Sequence, residues 1–329
     1  MSVGSAPGPV NRMSRDASGE RPHAGVADVS SARTAQRQRV RSIGASLWWF
    51  ALPALVVYAY VVLIPAVQGI WSSFTNWSFA HPEAAFIGLD NYTRAFQTDA
   101  GQAAVRTLFI AVVVVVVQNV LGLGLALLLH GRIAGKHVLR TVIFAPLVVS
   151  ALVVGYLFKY IFGPAGSGGI NGILAALGQH QVDFLGNPGT ALWIIMLAVI
   201  WQFTGATMVI YLAGLQGVPP ELEEAAALDG AGYWQRVWYV IRPLIAPAIT
   251  INLMIGLIGG LKIFDQIFAI TNGGPGNQTQ TISTLQYLVF SSFGEYGRAG
   301  AIAVLLTIGV GVLAFIQFSV LRRQEEGIR

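Results

Sequence analysis

Residues Gln216 to Arg242 read QGVPPELEEAAALDGAGYWQRVWYVIR, a loop with its own helix punctuation inside an otherwise apolar chain. Pro219 and Pro220 suit the start of a helix, where the amide hydrogen that proline lacks has no partner to lose. Glu221, Glu223 and Glu224 place negative charge at the positive end of that helix's dipole. Ala225 to Leu228 propagate the helix, and Gly230 can adopt the left-handed conformation that ends it. A second helix is predicted from Tyr233, with Trp234, Val237, Trp238 and Ile241 at helical spacing, before Pro243 opens the next apolar run. The expected product is a helix–turn–helix elbow. Taken singly, the glutamates need no role beyond the dipole and Gly230 none beyond the cap.

The surroundings of the elbow are those of a membrane. Charged residues make up 11% of the chain and hydrophobic ones 54%, against roughly 25% charged in an ordinary soluble domain, a composition that points away from a soluble fold. The apolar residues gather into runs of about 20, the length that crosses a hydrocarbon core of roughly 30 Å. Six spans are predicted, at about 47–70, 108–129, 138–162, 190–212, 244–263 and 300–321, giving an all-α polytopic membrane protein. Residues 1–45 lack apolar periodicity and read as a disordered cytosolic tail, 46–322 form the membrane domain, and 323–329 a short cytosolic C-terminus. With the N-terminus inside, fifteen of the twenty Lys and Arg residues fall on the cytoplasmic side, seven of them in the tail. The positive-inside rule therefore puts both termini and the elbow in the cytoplasm. Trp48, Trp49, Trp71 and Trp77 flank the first span, as interfacial aromatic rings do.

Several function classes fall away. The chain has no cysteine, so thiolate metal sites, disulfides and Cys nucleophiles are excluded. The net charge of +5 is carried by basic residues beside apolar runs, which topology explains better than nucleic-acid binding. His23, His81, His130, His137 and His180 are scattered and form no ligand spacing. No phosphate-binding loop occurs: Gly131 and Gly135-Lys136 are spaced too closely, and His137 follows the lysine. A secondary transporter stays open as an alternative from another class, although ion coupling calls for carboxylates at mid-depth and the spans offer none there.

The segment EEAAALDGAGYWQRVWYVIRPLIAP, Glu223 to Pro247, resembles the EAA loop of binding-protein-dependent ABC importer permeases. The Glu-Ala-Ala core, Gly230 and Pro243 fall at that family's places, while Val237 or Trp238 stands where the family usually carries Phe, and Arg242-Pro243 where it carries Leu-Pro. The resemblance implies a type I importer fold. In such a fold the elbow is a coupling helix seated in a cleft of a separate ATPase, and Glu224, Ala225, Asp229, Gly230 and Ala231 would take the docking role. It further implies a second homologous permease subunit, two ATP-binding subunits that hold ATP and magnesium, an extracytoplasmic solute-binding protein and a bacterial cytoplasmic membrane. This chain itself would be no enzyme and bind no cofactor.

A second resemblance lies in AITNGGPGNQTQTISTLQYLVFSSFGEYGRAGAIAV, Ala269 to Val304, and in FIGLDNYTRAF, Phe86 to Phe96. Both are similar to the carbohydrate-uptake, maltose-type branch of the family, where Thr271, Gly273-Gly274-Pro275, Thr279, Tyr287, Phe293 and Gly297 recur in this order. Without the family, the glycine-rich segment is simply a turn. By this resemblance the solute is a sugar or oligosaccharide, with an ABC permease for a non-sugar solute such as glycerol phosphate as the alternative. The pathway residues implied are Leu147 and Ala151; Gln202, Phe203 and Ala206; and Gly256, Gly259, Gly260 and Ile263. Gln202 and Asn252 are amides in apolar spans and so candidates to bond solute, with helix–helix hydrogen bonding the competing role. Gly256 and Gly260 form a small-xxx-small pair suited to close helix packing. Lys262 and Asp265, three apart, are expected to share a helix face and pair.

Overall fold

A main chain without water around it must satisfy its own hydrogen bonds, and apolar runs of this length do so as helices. The computed structural model describes residues 50–131, 133–164, 166 and 168–326; the tail at 1–45 and the last three residues lie outside it. Helix α1, Phe50–Ser72, contains a π-helical turn at Ala59–Leu63. Residues through Pro65 form a unit by themselves, and the packed body begins at Ala66.

After the end of α1, that body continues with a short helix, α2 (Asp90–Gln97), followed by the long α3 (Ala100–His130). Next come α4 (Lys136–Phe144), extended by a 3-10 turn at Ala145–Val148, then α5 (Ala151–Ile161) and α6 (Gly169–Ala176). The second long helix is α7 (Pro188–Gln216), and the elbow helix is α8 (Pro220–Leu228). Helix α9 (Tyr233–Leu244) leads to α10 (Ala246–Leu261), followed by α11 (Asp265–Ile270), α12 (Ile282–Ser291) and α13 (Tyr296–Glu326). Helix α3 begins eight residues before its expected span and α7 runs four residues past its own, while their other ends fall within two residues of expectation.

The expected third span, 138–162, is not one helix. It is broken at Val149 and Ser150, and the two pieces meet at 96°. Val149 and Ser150 take extended ψ angles of 136° and 141°, just after Pro146. A lesser bend of 75° separates α9 from α10 at Ile245, between Pro243 and Pro247. The expected end at Leu321 is also passed, as α13 continues to Glu326.

Helix α3 packs along α7 and α10, and α5 packs on α11. Small residues set these distances. A Cβ on Gly205 would run into the main chain of Ile143, one on Gly122 into Thr207, and one on Gly260 to 2.9 Å from Ala111 Cα. Two of the three apolar clusters among the described residues lie along these helices. One joins Ile110, Val114, Phe158, Ile195, Val199 and Ile267, and the other joins Leu129, Met208, Leu212, Leu215, Val237 and Ile241. On its other side α3 leaves Val105, Val112, Val116 and Val120 exposed, a face suited to lipid.

Candidate functional site

Between the two apolar clusters, half-way along α3, α7 and α10, lies a cavity of about 280 Å³. Its size is near the lower end of the roughly 300–1,000 Å³ typical of small-molecule pockets. Apolar surface comes from Val114, Val199, Phe203, Ile210, Ile255 and Phe264. Behind Phe264 stands Tyr287, with ring centroids 5.4 Å apart, so the aromatic wall is backed by α12. The polar groups are Gln118, Thr207, Asn252, Lys262, Asp265 and Gln266.

Of the pathway residues implied by sequence, Ala151, Phe203, Ala206, Asn252, Gly256, Gly259, Gly260 and Ile263 line this one cavity. Leu147 and Gln202 are not among its walls. Gln202 is 2% exposed, donates from Nε2 to the main-chain oxygen of Val149 at 2.9 Å and accepts from Gln266 Nε2 at 2.8 Å. Its amide therefore satisfies a carbonyl freed where the third span breaks, which an uninterrupted helix would not have exposed. Asn252 combines both readings, lining the cavity while donating to Thr207 O at 3.2 Å. Gly256 and Gly260 pack on Val115 and Ala111 of α3, whereas a Cβ on Gly259 would meet nothing within 4 Å.

The expected Lys262–Asp265 pair does not form. Among the described residues the ion pairs are Arg94–Asp90 and Arg298–Glu295. The reason is local. Helix α10 stops at Leu261 and Phe264 adopts φ −136° and ψ −60°, so the two residues never share a helical face. Both are exposed, and both stand on the cavity wall.

Sequence reading missed Gln118, Thr207 and Gln266. A signal for the first was present: Gln118-Asn119 interrupts the run of valines from Val112 to Val117, and an amide there is expensive unless used. The structure separates the two amides. Asn119 accepts from Tyr211 Oη at 2.5 Å within the helix interface, while Gln118 donates to Val199 O at 3.1 Å and reaches the cavity.

The loop after α11 is built by its threonines. Thr271 and Thr279 hydroxyls lie 2.8 Å apart, and Thr279 donates to Gly274 O at 2.6 Å, closing the turn in which Gly273 holds φ +85°. Gly297 packs so closely on the main-chain oxygen of Thr75 that a side chain there would collide with it.

The elbow forms as expected. Gly230, at φ +82°, follows α8, with Gly230 N–H donating to Ala227 O at 3.1 Å and Ala231 N–H to Ala226 O at 3.0 Å. This reciprocal pair is the Schellman motif that closes a helix on a left-handed residue. Asp229 N–H donates to Ala225 O, and Gly232 N–H donates to Gln235 Oε1 at 2.7 Å to start α9. Val237 anchors the elbow, buried in the cluster with Leu129 and Leu215, while Trp238 stays exposed with the Arg242 guanidinium 4.6 Å above its ring. Glu224, Asp229 and Leu228 are exposed, the last at 90%, so α8 presents a face that the described residues do not cover.

A helical bundle with a broken third span, a mid-length cavity and a projecting elbow is matched over residues 118–329 by the family described as binding-protein-dependent transport system inner membrane component. The chain belongs to this family. As a member of it, the chain is 34% identical over 282 residues to the multiple sugar-binding transport system permease protein MsmF of Streptococcus mutans, a match covering 84% of this chain and 96% of the relative. It is 33% identical over 259 residues to the trehalose/maltose transport system permease protein MalF of Thermococcus litoralis, covering 77% of this chain and 86% of that one. The fold matches a chain of a bacterial alginate ABC transporter, solved with an alginate pentasaccharide-bound periplasmic protein. The TM-score is 0.75 at 24% identity, over 87% of this chain and 97% of that one. The permease fold is thereby established, and the elbow is part of the family's matched segment.

Proposed function

We propose that this permease imports a neutral sugar or oligosaccharide as one half of a translocation pathway, with ATP hydrolysed by separate subunits. The observation that carries the solute class is the cavity wall, which sets the amides of Gln118, Asn252 and Gln266 beside the rings of Phe203 and Phe264. Amides serve hydroxyls and flat apolar surface serves the C–H face of a pyranose, the combination that a polyol needs away from water. The names of MsmF and of the Thermococcus MalF support the same class. An anionic solute such as glycerol phosphate would call for clustered basic side chains, whereas Lys262 on this wall is accompanied by Asp265.

The partners follow from the family. A second homologous permease subunit completes the pathway, two ATP-binding subunits dock on the elbows, and an extracytoplasmic binding protein delivers the solute. Glu224, Ala225, Asp229, Gly230 and Ala231 would form the docking contact, consistent with the uncovered face of α8. Both termini and the elbow are then cytoplasmic, as the basic residues indicate. Closure of the nucleotide-binding pair would bias an inward-open to outward-open equilibrium. Reversing such a ratio from 1:99 to 99:1 takes about 5.5 kcal/mol. The Asp265 carboxylate lies on the cavity wall, exposed and beyond the end of α10, next to Lys262 on the same wall.

The test is uptake by the reconstituted complex of both permease halves, ATPase and binding protein in liposomes. Labelled maltose or trehalose should enter with ATP, and glutamate, a dipeptide and glycerol phosphate should not. Uptake of glycerol phosphate without either sugar would replace this reading.

A further inference from the structure

The polarity of one cavity group is fixed by a chain of amides that starts at the break in the third span. The main-chain oxygen of Val149 can only accept a hydrogen bond. Gln202 meets it with Nε2 at 2.9 Å. An amide whose nitrogen is so placed turns its oxygen the other way, and Gln202 Oε1 receives Gln266 Nε2 at 2.8 Å. Gln266 keeps Oε1 as an acceptor, together with the second hydrogen of Nε2. Gln266 lines the cavity and Gln202 does not. Among the described residues, Gln266 Oε1 has no protein partner, and it is not one of the buried polar atoms sealed off without one. It therefore opens into the cavity as an acceptor. Gln118 is arranged similarly: one hydrogen of its Nε2 is engaged by Val199 O at 3.1 Å, and its oxygen has no protein partner among the described residues.

We propose that Gln266 Oε1 accepts a hydrogen bond from a solute hydroxyl and that Gln202, which never touches the solute, is the positioning residue that sets this polarity. The inference rests on the sugar reading above and deepens it: the cavity selects solutes by a hydroxyl donor at one position. Rotation of the Gln266 amide would set its oxygen against Gln202 Oε1, two acceptors face to face, so the place of this acceptor on the wall is fixed. A sugar in which that hydroxyl is replaced by hydrogen, fluorine or a methyl ether loses the bond. The same arrangement ties the cavity to the broken span, because the contact that orients Gln266 begins at Val149.

The experiment measures kcat/KM for uptake of maltose, trehalose and their monodeoxy analogues by the reconstituted complex. For each analogue the quantity read is the ratio of parent to analogue. The binding protein is the same in every arm, so its own preference cancels when wild type and variant ratios are compared. Wild type should discriminate against at least one monodeoxy analogue by roughly three- to tenfold more than Gln266→Met does, the range expected for one neutral hydrogen bond. Gln202→Met should lose the same discrimination. Gln202→Glu should restore it, because a buried carboxylic acid stays protonated, donating to Val149 while accepting from Gln266. A purely packing role for Gln202 would not single out one analogue. Should Gln266→Met fail to assemble, Gln266→Asn, which withdraws the oxygen by one methylene, provides the same comparison. Discrimination unchanged for every analogue in an assembled Gln266 variant overturns the assignment. A wild-type complex that takes up neither sugar overturns the sugar reading instead, and this assignment with it.

Discussion

Arg106 of α3 donates from Nη1 to the main-chain oxygen of Gln280 at 2.7 Å, and the same nitrogen reaches Asn277 O at 3.0 Å. A long-range charged donor thus pins the loop that follows α11 to the start of the central helix. Arg106→Met removes both bonds, and hydrogen bonds to a charged group contribute about 1.5–3 kcal/mol. The expected result is faster amide exchange at residues 272–280, with protection along residues 203–215 unchanged. Equal protection of the loop in wild type and variant would show that its threonines suffice.

Gly259 and Gly260 are neighbours with opposite surroundings. A Cβ on Gly259 meets nothing within 4 Å, whereas one on Gly260 meets Ala111 of α3. Gly259→Val should therefore assemble normally and reduce sugar uptake by filling the cavity. Gly260→Val should lower the yield and melting temperature of the complex, since overpacking costs about 1–3 kcal/mol or more. Co-purification of the subunits, read beside uptake, separates the two effects. A Gly259 variant with unimpaired uptake would remove that wall from the pathway.

A similar contrast distinguishes Gly205 from Gly230. At Gly205 the obstacle is the main chain of Ile143 and Phe144, which cannot rotate away. At Gly230 there is open space, and the obstacle is the positive φ itself, which disfavours other residues by about 1–2 kcal/mol. Gly205→Ala should lower the melting temperature of the permease in detergent. Gly230→Ala should leave it unchanged while raising exchange only in residues 225–232. A lower melting temperature for Gly230→Ala than for Gly205→Ala would contradict this account.

These contrasts mark what the sequence made legible. The elbow was readable to the residue, because Pro219, Pro220 and Gly230 act through local backbone rules that need no tertiary contact. Span positions were readable from hydropathy, though the start of α3 and the end of α7 were not, since a helix may be prolonged by any residue that tolerates it. The break at Val149 left no mark in an apolar run whose one warning was Pro146. Gln202, read as an amide for solute or for another helix, takes the second role: its partner is a carbonyl that the break has freed. Lys262 and Asp265 failed for a related reason: the spacing rule holds only within a continuous helix, and α10 ends at Leu261. Gly256 and Gly260 were correctly seen as a packing pair, while Gly259 between them was left to the cavity.

The direction of insertion has its own test, made simple by the absence of native cysteine. Ser292 and Glu221 are both exposed and lie on opposite sides of the bundle in the topology proposed. In intact cells Ser292→Cys should react with a membrane-impermeant maleimide, and Glu221→Cys only after permeabilisation. The reverse pattern would invert the molecule and detach the elbow from any cytoplasmic ATPase.

The most direct test of the account is Glu224→Lys in the elbow, measured as maltose uptake and as stimulation of ATPase by loaded binding protein in the same proteoliposomes. Glu224 is exposed, so its replacement disturbs little within this chain. If α8 is the coupling helix, reversal of charge replaces an attractive contact across the docking surface with repulsion, and both activities should fall together, further than in Glu224→Ala. Glu221→Ala, at the same helix start but outside the motif, should lose only about 0.3–1 kcal/mol of dipole interaction and keep both activities. Normal uptake and stimulation in Glu224→Lys, with loss of both in Glu221→Ala, would contradict the assignment of the elbow.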